Sequence, residues 1–214
     1  MKRDEEALEN IISKKTAQSK KKEGIPELME VILKNASVLV LSFVFSLGGK
    51  SGFFAPFGVS AVAAAGFSYM PVSIIGASLG YIVTQESLYS LRYITAILAC
   101  GVITGTLKNM KEVTASKFFA PAISFVTLFI TGLAIAFSDA LTLGAALKYL
   151  TEAILGACGA YFISRTATMK VSFKSFGFLN SKDLSALMIT VGLILSALGS
   201  LSIGEFVSVR IAAV

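Results

Sequence analysis

The sequence predicts an all-α, polytopic integral membrane bundle of about seven transmembrane helices, five long and two short. Three observations carry this expectation. Hydrophobic residues make up 55% of the 214-residue chain against 15% charged, and the mean hydropathy is +0.77, unlike a water-soluble domain. The apolar residues gather into runs at 30–48, 53–68, 71–84, 90–107, 118–138, 144–164 and 184–203. Lys and Arg crowd some gaps between those runs and nearly vanish from the others, as expected when short cytoplasmic loops retain positive charge.

Residues 1–28 read as a polar cytoplasmic tail, separate from a transmembrane domain over 29–214. Within it, residues 1–24 carry Lys2, Arg3, Lys14, Lys15, Lys20, Lys21 and Lys22 against Asp4, Glu5, Glu6, Glu9 and Glu23. Leu8, Ile11 and Ile12 fall at helical spacing, so a short amphipathic helix on the inner leaflet is one reading. A solvated tail is the plainer one. The first apolar run begins too late for a secretory signal, so the expected location is the cell membrane, multi-pass, with the N-terminus cytoplasmic.

A span needs about 20 apolar residues at 1.5 Å each to cross a hydrocarbon core of roughly 30 Å. Run 30–48 meets this if Lys34 snorkels to the surface. Runs 53–68 and 71–84 fall short and are rich in small residues, with Pro56 near one start and Pro71 at the turn between them. They are either two short spans or a re-entrant hairpin. Charge does not separate the two, because both bring the chain back to the same side. Two spans are preferred, since exposed irregular backbone at a hairpin tip leaves polar groups unpaired in lipid.

Run 90–107 follows, with Lys108, Lys111 and Lys117 after it, and then runs 118–138 and 144–164. The next gap interleaves Val171, Phe173, Phe176, Phe178 and Leu179 with Lys170, Lys174 and Lys182. Such a basic-aromatic stretch belongs at the headgroup level. Ser181 or Asp183 is placed to cap a last helix starting near Leu184.

The chemistry-bearing residues are few. Histidine is absent, which removes imidazole ligands, Ser-His pairs and His relays. Cys100 and Cys158 lie inside apolar runs with no CxxC pattern, and read as small buried packing residues. No cofactor or metal site is expected.

A pI of about 9.3 points to anionic lipid headgroups rather than nucleic acid, because the cations flank membrane runs. Lys108, Lys111, Lys117, Lys170, Lys174 and Lys182 are the candidate headgroup contacts. Gly76 with Gly80, and Gly101 with Gly105, have the GxxxG spacing that permits close helix approach, including self-association.

Three intramembrane charges form the candidate site. Arg92 lies at the outer start of its run, and Lys148 and Glu152 in the outer turns of theirs. The four-residue spacing lets Lys148 and Glu152 pair on one helix face, and Arg92 can bridge to Glu152 from a neighbouring helix. Such groups mark either a relay for protons or substrate, or mutual neutralisation of costly charge. Neutralisation is preferred, because a lone Glu without His or Asp partners makes a poor relay.

Two stretches carry a family resemblance. One is Leu47-Gly48-Gly49-Lys50 followed by Phe54-Ala55-Pro56-Phe57-Gly58-Val59-Ser60-Ala61. The other is Phe176-Gly177-Phe178-Leu179-Asn180-Ser181-Lys182-Asp183-Leu184, leading into a helix that ends Leu195-Ser196-Ala197-Leu198-Gly199. In this order, behind a basic head, they resemble the N-terminal membrane region of stage II sporulation protein E of endospore-forming Firmicutes, over roughly 30–214.

The resemblance implies about ten spans, then a cytoplasmic regulatory segment and a metal-dependent serine/threonine phosphatase domain that acts on an anti-sigma-factor antagonist. It also implies the polar division septum as location and the tubulin-like division protein as partner. A phosphatase of that kind needs clustered Asp carboxylates to hold two metals, whereas Asp here is limited to Asp4, Asp139 and Asp183. No catalytic residue is therefore assigned. The stop at Val214 reads as a fragment or truncated product.

Two function classes follow: a membrane-anchoring and assembly module of a sporulation phosphatase, and a small polytopic transporter subunit of the vitamin-uptake substrate-binding type. A transporter is expected to place polar residues, or broken helices aimed at a substrate, near midplane. The sequence offers mostly Ser, Thr and Gly there, which favours the anchor.

Overall fold

The computed structural model describes residues 28–48, 54–84, 87–138, 142–169, 180–199, 202–203 and 207–208. Among them helix α1 runs Leu28–Ser46. It is followed by α2 Phe57–Ala64, α3 Gly66–Thr84, α4 Ser87–Leu107, the single turn α5 Lys111–Thr114, α6 Phe119–Ser138, α7 Leu143–Thr168 and α8 Ser181–Gly199. Two-residue strands β1 Ser202–Ile203 and β2 Val207–Ser208 then pair antiparallel. The 184–203 run thus stops being helical before its end.

The chain divides into two compact units, Met1–Ser37 and Val38–Val214. In the first, the described residues are the opening turns of α1. There Lys34 Nζ lies 2.6 Å from a Glu30 carboxylate oxygen one turn back, so the lysine expected only to snorkel is ion-paired as well. The rest of the tail expected over 1–28 lies outside the described residues.

Among the described residues five helices are long and apolar enough to cross a membrane: α1, α3, α4, α6 and Ser181–Leu198 of α8. Their packing is inverted relative to a water-soluble protein. Exposed positions hold large side chains such as Ile75, Leu79, Leu98, Val102, Ile130 and Phe137, while many buried ones hold Ala77, Ala96, Ala153 and Ala160. Small residues inside let helix backbones approach, and large apolar ones outside suit a hydrocarbon solvent. The protein is a membrane-embedded, multi-pass helical protein.

The segment expected to make two short spans is divided at a different place. α2 has 8 residues, a rise of about 12 Å, less than half the hydrocarbon thickness. α3 has 19 residues and carries Pro71 inside it. The turn falls instead at Ala65 and Gly66, where Gly66 takes φ +68°, a left-handed conformation that costs glycine nothing. As the sixth residue of α3, Pro71 forgoes the one backbone bond that a missing N–H would have made to Phe67 O, and the helix runs on through it.

α2 is wrapped by α3, α4, α6 and α7, and its residues from Gly58 to Ala63 are buried. Glycines on α7 make room for it. A Cβ at Gly159 would lie 2.9 Å from the Phe57 ring, and one at Gly156 would lie 3.3 Å from Pro56 Cβ. Ser60 Oγ closes the contact by donating to Gly156 O at 2.7 Å.

Candidate functional site

The chain entering α2 is irregular at Phe54 and Ala55, yet Ala55 is buried. Its peptide groups need partners there, because an unpaired amide deep in an apolar interior is costly. Two tyrosines supply them. Ala55 N–H donates to Tyr93 Oη at 3.0 Å, Tyr81 Oη donates to Ala55 O at 2.5 Å, and Val59 N–H donates to Tyr81 Oη at 3.2 Å. The two rings stack with centroids 4.6 Å apart and planes 10° from parallel.

Behind the tyrosines lies the ion pair. Tyr93 Oη donates to Glu152 Oε1, and Arg92 Nη2 donates to Glu152 Oε2 at 2.6 Å and to Leu128 O at 3.4 Å. The side chains of Arg92 and Glu152 are 3% and 0% exposed. The guanidinium carbon also faces the rings of Tyr93 and Tyr149, 4.9 and 4.6 Å from their centroids, a cation–π arrangement. Arg92 Nε has no hydrogen-bond partner among the described residues.

The network joins α3, α4, α6 and α7 to the backbone where α2 begins. Both carboxylate oxygens of Glu152 are engaged, and the tyrosine hydroxyls pass that anchorage on to the peptide groups of Ala55 and Val59. The arrangement is a brace for an irregular stretch of chain.

Of the three predicted charges, Arg92 and Glu152 come together. Glu152 is the tenth residue of α7, about 13 Å along its axis. Lys148 lies one turn earlier, with Nζ 6.0 Å from the ring centroids of Phe54 and Tyr149. Gly80 packs against α1, where a Cβ would stand 2.6 Å from Ser46 Cβ and 2.7 Å from Phe43 O. Gly76 likewise abuts the backbone of Leu39, and a Cβ at Gly101 would lie 3.0 Å from Ile74 Cδ1. Gly105 faces open space, with nothing within 4 Å.

Among the basic candidates, Lys108 and Lys117 line a cavity near the other end of α4. Lys111 opens α5, and Lys182 is exposed in the first turn of α8. Lys170 and Lys174 lie outside the described residues.

Two smaller readings are corrected. α8 begins at Ser181, not near Leu184, and Asp183 pairs with Arg165 of α7 at 2.6 Å rather than capping. Cys100 is buried, with Sγ 3.3 Å from Thr127 Oγ1, but Cys158 is exposed, because an apolar run does not say which face of its helix meets lipid.

Tyr81, Tyr93, Gly156 and Gly159 went unremarked in the sequence. A signal existed for the tyrosines: the ring of Tyr93 adjoins an intramembrane arginine, and buried Tyr hydroxyls need partners. Among the described residues no group of three or more Cys, Asp or Glu is placed to hold a metal. Compared with protein-family models, curated proteins and solved structures, the chain gave no match.

Proposed function

We propose that this chain is a membrane-anchoring and assembly module without catalytic chemistry of its own, serving septal localisation as its resemblance to the N-terminal region of stage II sporulation protein E implies. The observation that supports this reading is the engagement of Glu152. A relay or substrate site needs a group that can exchange partners with an entering proton or ligand. Here the buried carboxylate is spent on Arg92 and Tyr93.

The path that goes with this reading makes seven crossings from a cytoplasmic N-terminus. α2, with the irregular chain before it, serves as the second crossing, and the 26-residue α7 as the sixth. Lys108 and Arg165 then fall on the cytoplasmic side, beside anionic headgroups. The tubulin-like division protein is the partner the resemblance suggests.

A second reading, the small transporter subunit, draws on one observation. α2 is a half-length helix starting among buried charges, a device transporters use to hold ions and substrates. Against it, Tyr81 and Tyr93 already take the peptide groups such a site would leave for its ligand.

The deciding experiment is a fluorescent fusion of the chain in sporulating endospore-forming cells. Enrichment at the polar septum is the expected result, and uniform membrane fluorescence would overturn the localisation role. Flux of vitamin-sized solutes into proteoliposomes containing the purified chain would favour the transporter.

A further inference from the structure

A cavity of about 750 Å³ opens among Ala63 at the end of α2, Phe67 in α3, Thr104 and Lys108 in α4, Lys117 before α6, and Arg165 in α7. That size lies within the range of small-ligand sites, about 300–1,000 Å³. Its wall divides by chemistry. Ala63, Phe67, Phe119 and Ala120 form an apolar side, while Lys108, Lys117 and Arg165 face it with Asp183 as the sole carboxylate among the lining residues. Three cations less one anion leave a charge of +2.

The cations are not equivalent. Arg165 is committed: its Nε and Nη2 both donate to Asp183 Oδ1, at 2.8 and 2.6 Å. Lys108 Nζ sits 4.0 Å from the centroid of the Phe67 ring, a contact that positions an ammonium without neutralising it. Lys117 is exposed and has no carboxylate at ion-pair distance among the described residues.

Thr104 provides an independent sign of a missing partner. Threonines in helices ordinarily return their hydroxyl to a carbonyl one turn back. Thr95, Thr127, Thr131, Thr151 and Thr166 all do so here. Thr104 does not: its Oγ1 has no hydrogen-bond partner among the described residues, although the residue is only 4% exposed and lines the cavity.

We infer that this cavity binds a phosphate ester anion, its oxygens taken by Lys108, Lys117 and the Thr104 hydroxyl and its organic part lying on the Phe67 and Phe119 side. Several donors converging on a small, highly charged acceptor are what a phosphate demands. An apolar wall beside them suits the glycerol and acyl portion of a lipid, but the donor set serves a soluble phosphate equally. The inference holds whether the chain anchors or transports.

The test uses the full chain in neutral detergent with two probes, phosphatidylglycerol and inorganic phosphate, read by native mass spectrometry and by the rise in Tm, with phosphatidylcholine as reference. Saturable binding is expected. Both Lys108→Gln/Lys117→Gln and Thr104→Val should weaken it at least about tenfold, the loss for a charge-assisted hydrogen bond. Response to the lipid alone assigns a headgroup site, and saturation by inorganic phosphate assigns a soluble ligand.

Thr104→Val is nearly isosteric and carries no charge change, so it separates a built site from diffuse attraction by surface lysines. Binding by neither probe would overturn the inference. So would lysine variants that weaken binding while Thr104→Val, with the parent Tm in the absence of probe, binds as the parent does.

Discussion

Replacing Glu152 by Gln tests the brace at its most loaded point. The substitution keeps the side-chain shape and removes the charge that faces Arg92 at 2.6 Å, in a place where the two side chains are 3% and 0% exposed. Breaking a buried ion pair by neutralising one partner costs about 3–5 kcal/mol, because the other charge is left uncompensated. At about 2–4 °C per kcal/mol for a chain of this size, the melting midpoint should fall by about 6–20 °C.

Arg92→Met should fall by a similar amount. The double variant Arg92→Met/Glu152→Leu removes both charges, and replacing a buried pair with apolar residues is commonly neutral or stabilising. It should therefore melt close to the parent rather than at the sum of the two losses. Thermal unfolding followed by circular dichroism at 222 nm in one detergent gives all four midpoints, and the cycle gives the coupling. A Glu152→Gln midpoint within about 2 °C of the parent, or a double variant that adds the two single losses, would refute the bracing argument. Intact folding with selective loss of solute flux would hand the residue to transport instead.

Other outcomes follow from the same geometry. Tyr81→Phe removes the hydroxyl shared by Ala55 O and Val59 N–H; two unpaired peptide groups at about 1–3 kcal/mol each should lower the midpoint and speed amide exchange at Val59. Gly156→Val places a side chain against Ser124 Oγ, 3.2 Å from the new Cβ, and Pro56, and should destabilise by about 1–3 kcal/mol through overpacking, seen in the same melts. Ser68→Cys, on an exposed residue just past the Gly66 turn, should react with a membrane-impermeant maleimide from the cytoplasmic side. Labelling from outside alone would sink the proposed path.

Much of the helical layout was legible because lipid imposes one strong rule, an apolar run long enough to cross. Runs 90–107 and 118–138 correspond closely to α4 and α6 on that ground alone. The rule fails where protein replaces lipid as the surroundings. α2 needs no apolar length, since α3, α4, α6 and α7 enclose it, and its small residues answer to Gly156 and Gly159, far away in sequence.

The site was half legible for a related reason. Arg92 and Glu152 stand out as charges in apolar runs, and their pairing follows from the cost of leaving either alone. That they brace Ala55 through two tyrosines depends on where the chain leaves its helix, which hydropathy does not record. The cavity was less legible still. Lys108 and Lys117 signalled a membrane edge, but nothing in the pattern distinguishes Thr104 from the threonines that bond within their own helices.

The enclosure of α2 sets an order of events during synthesis. Ser60 and its acceptor on α7 are separated by 96 residues, so at roughly 5–20 residues per second the ribosome needs about 5–20 s to produce the partner after making the donor. Throughout that interval the segment is too short to enter the bilayer on its own account. Its contacts with α6 and α7 can form only once those helices have been made. The nascent chain therefore takes up its final connectivity late, and a ribosome stalled before residue 143 should leave Ala55 and Val59 without their completed surroundings.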